Sequence, residues 1–303
     1  MIRRRSAPPG AAGVTGGHNG EEGSENPAAA TKERAAAMTM PILVTGGTGT
    51  LGSRLVPRLA GAGRPVRVLT RRDRADGNGI SYVTGDLATG AGVGPAVDGA
   101  GTIVHCAGSS RGDEELTRTL VRAVAARGGT PHLVYISVVG ADRIPVTGPA
   151  DRAMFGYFAS KRASEQVVTD AGLPWTTLRA TQFHDLVLAV VRQLARLPAI
   201  PVPAATAFQP VDTGDVADRL TDLALGEPAG LVPELAGPRI YAPGDLVRGY
   251  LRATGHRARP VLAVPLPGRA ARAVRDGANL APDHAEGTRT WEEFLADEVG
   301  TTP

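Results

Sequence analysis

The sequence has very little cysteine: Cys106 is the single one among 303 residues. An intrachain disulfide is therefore impossible, which excludes a disulfide-stabilised scaffold and favours a reducing, cytoplasmic location. Cys106 lies in the apolar run 102–107, so we expect a buried strand cysteine rather than a nucleophile.

Three other features are missing. No stretch approaches the ~18 consecutive apolar residues of a transmembrane helix, so we expect no membrane association. The net charge is +3 and aromatic residues make up 4%, and the scattered arginines form no basic stripe interleaved with aromatics, so nucleic-acid binding is not indicated. No group of histidine and cysteine has metal-ligand spacing, so no metal is predicted.

Large apolar residues are almost absent from residues 1–37, which are rich in glycine, alanine, proline, serine and charge. Such a segment buries too little surface to offset its ordering entropy, so residues 1–38 are predicted to be a disordered extension and 39–303 the folded domain. Arg3-Arg4-Arg5 is followed by no apolar region, so a signal peptide is not supported. Translation from Met38 or Met40 is a hypothesis.

A glycine-dense segment follows the predicted strand Ile42–Val44. Gly47, Gly49 and Gly52 match G-x-G-x-x-G, and Gly46 also matches a G-x-x-G-x-x-G spacing. In this pattern the glycines allow a tight turn, close approach to a pyrophosphate and close helix–strand packing, while the helix N-terminus binds the anion. A glycine-rich surface turn would not explain these spacings. We therefore predict dinucleotide binding by the whole segment, Thr45, Gly46, Gly47, Thr48, Gly49, Thr50, Leu51 and Gly52.

Short apolar runs alternate with helical stretches along most of the chain. This alternation predicts βαβ units and a parallel sheet, so the expected fold class is α/β, a Rossmann-type doubly wound sheet. A smaller C-terminal substrate lobe is expected over about residues 182–303. The predicted strands are Ile42–Val44, Val66–Leu69, Ser81–Val83, Thr102–His105, Leu133–Ser137 and Thr176–Leu178. The predicted helices are Leu51–Ala60, Glu114–Arg127, Tyr157–Asp170, Leu186–Leu197, Asp215–Leu225, Gly244–Arg252 and one starting near Thr290, with a short strand and turn at 209–213.

Tyr157 and Lys161 are four residues apart and share one face of the predicted helix. An ammonium beside a phenol lowers the phenol pKa from about 10 toward neutrality, which suits a group that exchanges protons with a carbonyl or alcohol. An ordinary exposed helix pair is the alternative. Ser137 ends a strand where its hydroxyl could hold a substrate oxygen, although it could equally satisfy local backbone groups.

Together these residues resemble the short-chain dehydrogenase/reductase superfamily, and most closely its atypical branch of NmrA-like and sugar-epimerase-like NAD(P)-binding proteins. The resemblance covers about residues 41–300. It is carried by the glycine segment, the step Gly85-Asp86-Leu87, the strand end His105-Cys106-Ala107-Gly108, Ser137, Tyr157 with Lys161, and the stretch 172–183 (GLPWTTLRATQF).

The resemblance implies roles for matching residues. Asp86, with Leu87 beside it, would contact the adenine, and Ala107 and Gly108 would lie against the adenosine and the nicotinamide-side ribose. Tyr157 would be the acid/base. Lys161 would bind ribose and tune Tyr157, and Ser137 would orient the substrate oxygen. The substrate pocket would be bordered by Gln182, Phe183 and His184, although His184-Asp185 could instead begin the next helix.

Two departures from the family pattern stand out. Members with a full catalytic tetrad carry an asparagine on the helix after the fourth strand, but residues 79–278 contain no asparagine. A water relay through that residue must therefore be replaced or absent. The interval from Ser137 to Tyr157 is also longer than in compact members.

The end of the second predicted strand bears on coenzyme choice. An acid there accepts hydrogen bonds from the ribose 2′-OH of NAD(H), whereas an arginine pairs with the 2′-phosphate of NADP(H). Thr70 is followed by Arg71 and Arg72, which favours NADP(H). An NAD(H) interpretation through Asp73 stays open, as does the alternative that these arginines are simply solvated.

Three functions are compatible with these features. The favoured one is an NADP(H)-dependent oxidoreductase that transfers hydride to a small carbonyl, quinone or enone. A non-catalytic redox sensor of the NmrA-like kind, with a protein partner, is the first alternative, and a sugar-nucleotide epimerase is the second. The expected partner is a small-molecule substrate, and a homodimer stays open.

Overall fold

The computed structural model describes residues 39–108 and 112–300. Its nine strands are β1 (Ile42–Thr45), β2 (Val66–Thr70), β3 (Ile80–Thr84), β4 (Thr102–His105), β5 (His132–Val138), β6 (Trp175–Ala180), β7 (Ile200–Pro203), β8 (Gly230–Leu231) and β9 (Val261–Val264). Its α-helices of five or more residues are α1 (Thr50–Gly61), α2 (Val93–Val97), α3 (Asp113–Arg127), α4 (Pro149–Thr169), α5 (His184–Leu194), α6 (Thr213–Leu225), α7 (Pro243–Ala253), α8 (Arg269–Arg275) and α9 (Trp291–Gly300).

Seven parallel strands form the main sheet in the order β3-β2-β1-β4-β5-β6-β8. Successive strands are therefore added outward in one direction from β1 and in the opposite direction from β4. The two strands are neighbours, and Val44 pairs with Val104. In such sheets ligands bind beyond the carboxyl ends of the strands at this reversal. The predicted Rossmann-type α/β fold is confirmed.

Both faces of the sheet are covered because successive residues of each strand point to opposite sides. Ile42 and Val44 pack with α1 and α6 on one face. Leu43, between them, packs with α2, α3 and α4 on the other. This explains why the central strands are continuous apolar runs rather than alternating ones.

The C-terminal elements have a core of their own. Side chains of α5, α7, α9 and β7 bury Trp291 and Phe294 almost completely. The short strands β7 and β9 pair in parallel as a separate two-stranded sheet. These C-terminal elements therefore pack around a hydrophobic cluster separate from those of the main sheet.

The predicted elements recur with shifted ends, and one shift matters for the site. The helix predicted to open at Tyr157 begins eight residues earlier, at Pro149, so Tyr157 lies in the middle of α4. Pro149 at the first helical position and Asp151 in the first turn are start signals that the prediction overlooked. At 209–213, where a short strand was predicted, Val211 makes an isolated bridge to Phe183 instead of a strand.

The elements missed by the sequence are short ones: α2, α8, β7, β8 and β9. The predicted capping box at the last helix is present, because the Glu293 carboxylate accepts from the Thr290 N–H at 2.8 Å and the Glu293 N–H donates to Thr290 Oγ1 at 3.3 Å.

Within 39–108 and 112–300, every helix is too short or too polar to traverse a lipid bilayer. The predicted extension 1–38 lies outside the described residues.

Candidate dinucleotide-binding and catalytic site

The glycines after β1 are required by close backbone packing. Gly46 has a φ of +71°, and a Cβ on it would be 2.6 Å from the Ala107 nitrogen. A Cβ on Gly47 would be 2.8 Å from a Val68 methyl group, and one on Gly52 would be 2.2 Å from the Gly46 carbonyl oxygen. The turn thus packs against β2, against the end of β4 and against its own helix.

Gly49 has a different environment. It is the residue before α1, and a Cβ on it would meet only the Gly46 oxygen, at 3.3 Å. No side chain caps α1, and its first turn carries no acidic residue. The free N–H groups and the positive end of the helix are therefore available to a diphosphate, which fits a dinucleotide at this turn.

A cleft of about 670 Å³ lies beyond the carboxyl ends of β1, β2 and β4. It brings together nine of the residues predicted to bind the cofactor: Thr45, Gly46, Thr48, Gly49, Arg71, Asp86, Leu87, Ala107 and Gly108. It is also lined by residues that the prediction missed: Leu69, Thr70, Gly85, Ala88, Cys106, Gly112, Glu115 and Leu116. Gly85 and Cys106 stand inside the motifs that carry the family resemblance, and the others lie near strand ends or around the start of α3.

The other predicted cofactor residues do not line this cleft. Gly47 and Gly52 support the turn by packing, and Leu51 is buried in the core of the sheet. Thr50 is exposed at the first position of α1, and Arg72 is exposed beyond β2.

Thr45 lines the cleft, but its hydroxyl is already used. Its Oγ1 lies 2.7 Å from His105 Nδ1 and accepts from the Ala107 N–H at 3.3 Å. His105 Nε2 lies 3.1 Å from Thr117 Oγ1 on α3. Burial and, secondarily, the charge of Lys161 lower the pKa of His105 to about 3, so this ring is neutral. Thr45 therefore fixes the glycine turn to β4 and α3.

Cys106 follows the last residue of β4 and lies partly buried at the cleft. Burial raises the pKa of its thiol to about 12 although Lys161 opposes this, so the thiolate is not populated near neutral pH. The expectation that Cys106 is not a nucleophile agrees with this environment.

Arg71 is exposed at the end of β2, where it lines the cleft. Thr70, in front of it, is buried, and its Oγ1 accepts from the Arg72 N–H at 3.3 Å. Thr70 thus occupies the position where a carboxylate could accept a hydrogen bond from a ribose hydroxyl, and its Oγ1 already accepts one from the backbone. The guanidinium of Arg71 belongs to the next residue.

The structure brings Tyr157 and Lys161 together on one face of α4. Lys161 Nζ is 5.8 Å from the centre of the Tyr157 ring and donates to the Ile136 carbonyl at 3.2 Å. Since Ile136 precedes Ser137 in β5, the lysine lies against the strand that carries the predicted serine. Tyr157 is 39% exposed, whereas Lys161 is buried.

The pKa of Tyr157 differs from the expectation. Desolvation raises it above its usual value, and the Asp113 carboxylate acts in the same direction, which together outweigh the lowering by Lys161. The lysine is an ion-pair partner of Asp113, at 3.1 Å. The predicted lowering of the phenol pKa toward neutrality is therefore wrong for this arrangement.

Ser137 lies at the penultimate position of β5 and is 4% exposed. Its Oγ has no hydrogen-bond partner among the residues that the structure describes. The structure thus contradicts the alternative that this hydroxyl satisfies local backbone groups.

The three predicted substrate residues follow β6 but face different surroundings. Gln182 is half-buried and donates to the Asn279 carbonyl at 3.5 Å, while Phe183 precedes α5 and packs on the sheet core. His184 is fully buried, with its ring 5.0 Å from that of Phe294 and 5.9 Å from that of Trp291. The prediction that His184 borders a pocket is wrong, because α9 covers it.

One functional contact escaped the sequence altogether. Asp113, the first residue of α3, is 1% exposed and pairs with Lys161. The predicted helix begins one residue later, at Glu114, and the partner of Asp113 lies on α4, so only the packing of the two helices shows this contact. Among the described residues, no histidine, cysteine and acidic side chains gather as a group that could hold a metal ion.

Comparison with known proteins agrees with this geometry. A family model described as NAD(P)H-binding matches residues 46–187. The chain is 34% identical over 152 residues to (4-alkanoyl-5-oxo-2,5-dihydrofuran-3-yl)methyl phosphate reductase of Streptomyces griseus; the match covers 49% of this chain and 50% of the reductase, so the chain spans about half the length of that relative. It is 32% identical over 214 residues to a probable dTDP-4,6-dihydroxy-2-methyloxan-3-one 4-ketoreductase of Streptomyces antibioticus, with coverage of 62% and 68%.

Solved structures show the same fold at lower identity. The NADPH-dependent quinone oxidoreductase QOR2 of Escherichia coli, complexed with NADPH, has a TM-score of 0.66 and 18% identity, covering 86% of this chain and 98% of that one. A nucleoside-diphosphate-sugar epimerase of Staphylococcus aureus has a TM-score of 0.66 and 16% identity, covering 85% and 100%. Both share their fold with this chain.

Proposed function

The chain belongs to the atypical, NAD(P)H-binding branch of the short-chain dehydrogenase/reductase superfamily, and we propose that it is an NADPH-dependent oxidoreductase acting on a small carbonyl, quinone or enone. The observation that carries the proposal is the constellation of exposed Tyr157, buried Lys161 and the unpartnered Ser137 hydroxyl. These groups lie on β5 and α4, beside the strands that end at the dinucleotide cleft.

Each residue has a defined task in this proposal. The bound nicotinamide would supply the hydride. Ser137 donates a hydrogen bond to the substrate oxygen, and Tyr157 delivers a proton to that oxygen as the carbon accepts the hydride. Lys161 holds the ribose. Burial lowers the pKa of Lys161, but Tyr135, Tyr157 and the Asp113 carboxylate raise it, and the net direction is above the usual value.

Relatives support reduction rather than another chemistry. Both curated relatives described above carry the word reductase or ketoreductase in their names, and a fold neighbour is a quinone oxidoreductase that was solved with NADPH. An epimerase is also among the fold neighbours, so nucleotide-sugar epimerisation is kept as an outcome of the test.

Turnover of NADPH over a panel of carbonyls, quinones and enones tests the reaction. Tyr157→Phe is expected to lower kcat by roughly 10²–10⁴-fold, the range of a lost general acid. Equal turnover by the wild type and Tyr157→Phe would remove the acid role. Coenzyme binding without turnover on any acceptor, together with a protein partner whose binding depends on NADP⁺ against NADPH, would instead support the sensor.

Arg71 supports a preference for NADPH. Arg71→Ala is expected to weaken NADPH binding by roughly 10–100-fold, the equivalent of one charge-assisted bidentate contact, and to leave NADH binding unchanged. Isothermal titration calorimetry with both coenzymes measures this. Arg74→Ala is the matched control, since Arg74 is exposed three residues further on and lies over the Tyr82 ring. Tighter binding of NADH than NADPH by the wild type would contradict the preference.

A further inference from the structure

Asp113 and Lys161 form a buried ion pair beside the proposed proton donor. The distance from Asp113 Oδ2 to Lys161 Nζ is 3.1 Å, and the two side chains are 1% and 7% exposed. An unpaired charge in so buried a place is strongly unfavourable, so the two side chains are held together as a pair.

The lysine is enclosed by few groups that can titrate. On β5, the Tyr135 ring lies 5.0 Å from Nζ, and on α4 the Tyr157 ring lies 5.8 Å away. Burial lowers the pKa of His105 on β4 and raises that of Cys106 after it, while the charge of Lys161 lowers both. Both side chains are therefore neutral near pH 7. Among the described residues, Asp113 on α3 is therefore the anionic partner of Lys161.

Asp113 is also held in place from several directions. Its N–H donates to Ser160 Oγ at 3.2 Å, and Ser160 precedes Lys161 on α4. Its carbonyl accepts from Thr117 Oγ1 at 2.8 Å, and Thr117 contacts the His105 ring. As the first residue of α3, its carboxylate is also stabilised by the positive end of the helix. The pair is thus fixed between α3 and α4 and connected through His105 to the glycine turn.

We propose that Asp113 is a positioning residue that neutralises the Lys161 ammonium, so that Tyr157 stays protonated at neutral pH and the site is set to donate a proton. This rests on the proposed function, in which Tyr157 protonates the substrate.

The proposed reduction balances with this protonation state. The carbonyl carbon accepts a hydride with its two electrons, the C=O π bond breaks, and the oxygen takes the proton of Tyr157. The products are an alcohol, oxidised coenzyme and a tyrosinate, which regains a proton from water. A phenol that is already ionised could not serve the first turnover. The direction in which Asp113 moves the Tyr157 pKa, upward and against Lys161, agrees with this requirement.

Alkaline titration by tyrosinate absorbance tests the proposal without substrate or coenzyme. The chain has five tyrosines, so the wild type minus Tyr157→Phe isolates one of them. Tyr157 is expected to titrate above the usual ~10. In Asp113→Asn, measured against Asp113→Asn/Tyr157→Phe, its pKa is expected to fall by on the order of one unit because Lys161 is no longer neutralised. Glu114→Gln is the matched control, since the exposed Glu114 pairs with Arg118, and it should leave the Tyr157 titration unchanged.

Two results would overturn the proposal: a wild-type Tyr157 that titrates near neutrality, or an Asp113→Asn variant with the wild-type titration. Should Asp113→Asn fail to fold, Asp113→Asn/Lys161→Met removes both charges and is expected to keep Tyr157 near its wild-type pKa. A marked rise of the Tyr157 pKa in that double variant would mean that Lys161 lowers this pKa in the wild type and that Asp113 does not offset it. That result would contradict the proposal. Failure of NADPH turnover would reject the proposed reaction but leave this titration readable.

Discussion

Gly52 lies in the first turn of α1, where an added Cβ would be 2.2 Å from the Gly46 oxygen and 2.5 Å from the Gly47 Cα. Both contacts are with backbone, which cannot rotate away as a side chain can. The turn that faces the diphosphate must therefore shift if any side chain is placed here. A single methyl group thus links the packing of α1 to coenzyme binding.

Gly52→Ala is accordingly expected to lower NADPH affinity by at least about tenfold, or ~1.4 kcal/mol, and to reduce the melting temperature. Gly61→Ala is the control, because Gly61 ends the same helix and a Cβ there meets nothing within 4 Å. That variant should bind NADPH normally and be no less stable. Wild-type affinity in Gly52→Ala would mean that the turn does not carry the diphosphate.

At the scale of elements, α4 is joined to the sheet by a buried ionic cluster. The Arg179 guanidinium on β6 donates to both Glu165 oxygens at 2.8 Å and pairs with Asp142, after β5, at 2.8 Å. Arg179 and Glu165 are each 4% exposed. Because Glu165 is one turn beyond Lys161 on α4, this cluster holds the helix that carries the proposed acid and lysine against β5 and β6.

Arg179→Met is expected to destabilise the fold by roughly 3 kcal/mol or more, because the half-exposed Arg162 is then the one cationic partner of the buried Glu165 among the described residues. Lysine cannot reproduce the fork that bonds both oxygens, so Arg179→Lys should recover only part of this loss. Urea unfolding measures both variants. The control is Arg143→Ala, which removes a more exposed pair with Glu234 and should change stability by under about 1 kcal/mol. Equal losses in the two positions would contradict the importance of burial.

At the scale of the whole molecule, buried histidines make the free energy of unfolding depend on pH in the acid range. Burial is the main cause that lowers the pKa of His184 to about 4 and that of His105 to about 3. Histidines in the unfolded chain have a pKa near 6.5. Below this pH they bind protons, whereas the same side chains in the folded protein stay neutral until the pH approaches their lowered pKa values. Stability is fully present above about pH 6.5 and is lost as the pH falls toward 4.

His184→Leu should remove its part of this loss. Between pH 7 and pH 5 the wild type is expected to lose about 2 kcal/mol more than the variant, from the difference between a pKa of 6.5 and one of about 4. Both His184 nitrogens lack a hydrogen-bond partner among the described residues, so the variant should be at least as stable at pH 7. Chemical denaturation at the two pH values decides this, with the exposed His256→Gln as control. A parallel loss in wild type and His184→Leu would show that His184 is not the source.

Local patterns in the sequence were sufficient for the fold and the cofactor turn. The apolar run Ile42–Val44, the glycine spacings after it and the alternation of strands with helices each act within a few residues of one another. Hydrophobic periodicity and backbone sterics operate at that range, so the parallel sheet could be predicted from the chain alone. The pairing of Tyr157 with Lys161 is of the same kind, since a helix fixes residues four apart on one face.

What the sequence determined by itself was therefore the Rossmann-type sheet, the glycine turn and the shared face of Tyr157 and Lys161. The tertiary structure alone decided the charge state around that face, because Asp113 reaches Lys161 only through the packing of α3 on α4. It also decided that His184 is covered by Trp291 and Phe294, which lie far along the chain. Burial and the distance between charges set a pKa, and both depend on contacts between elements that no local pattern encodes.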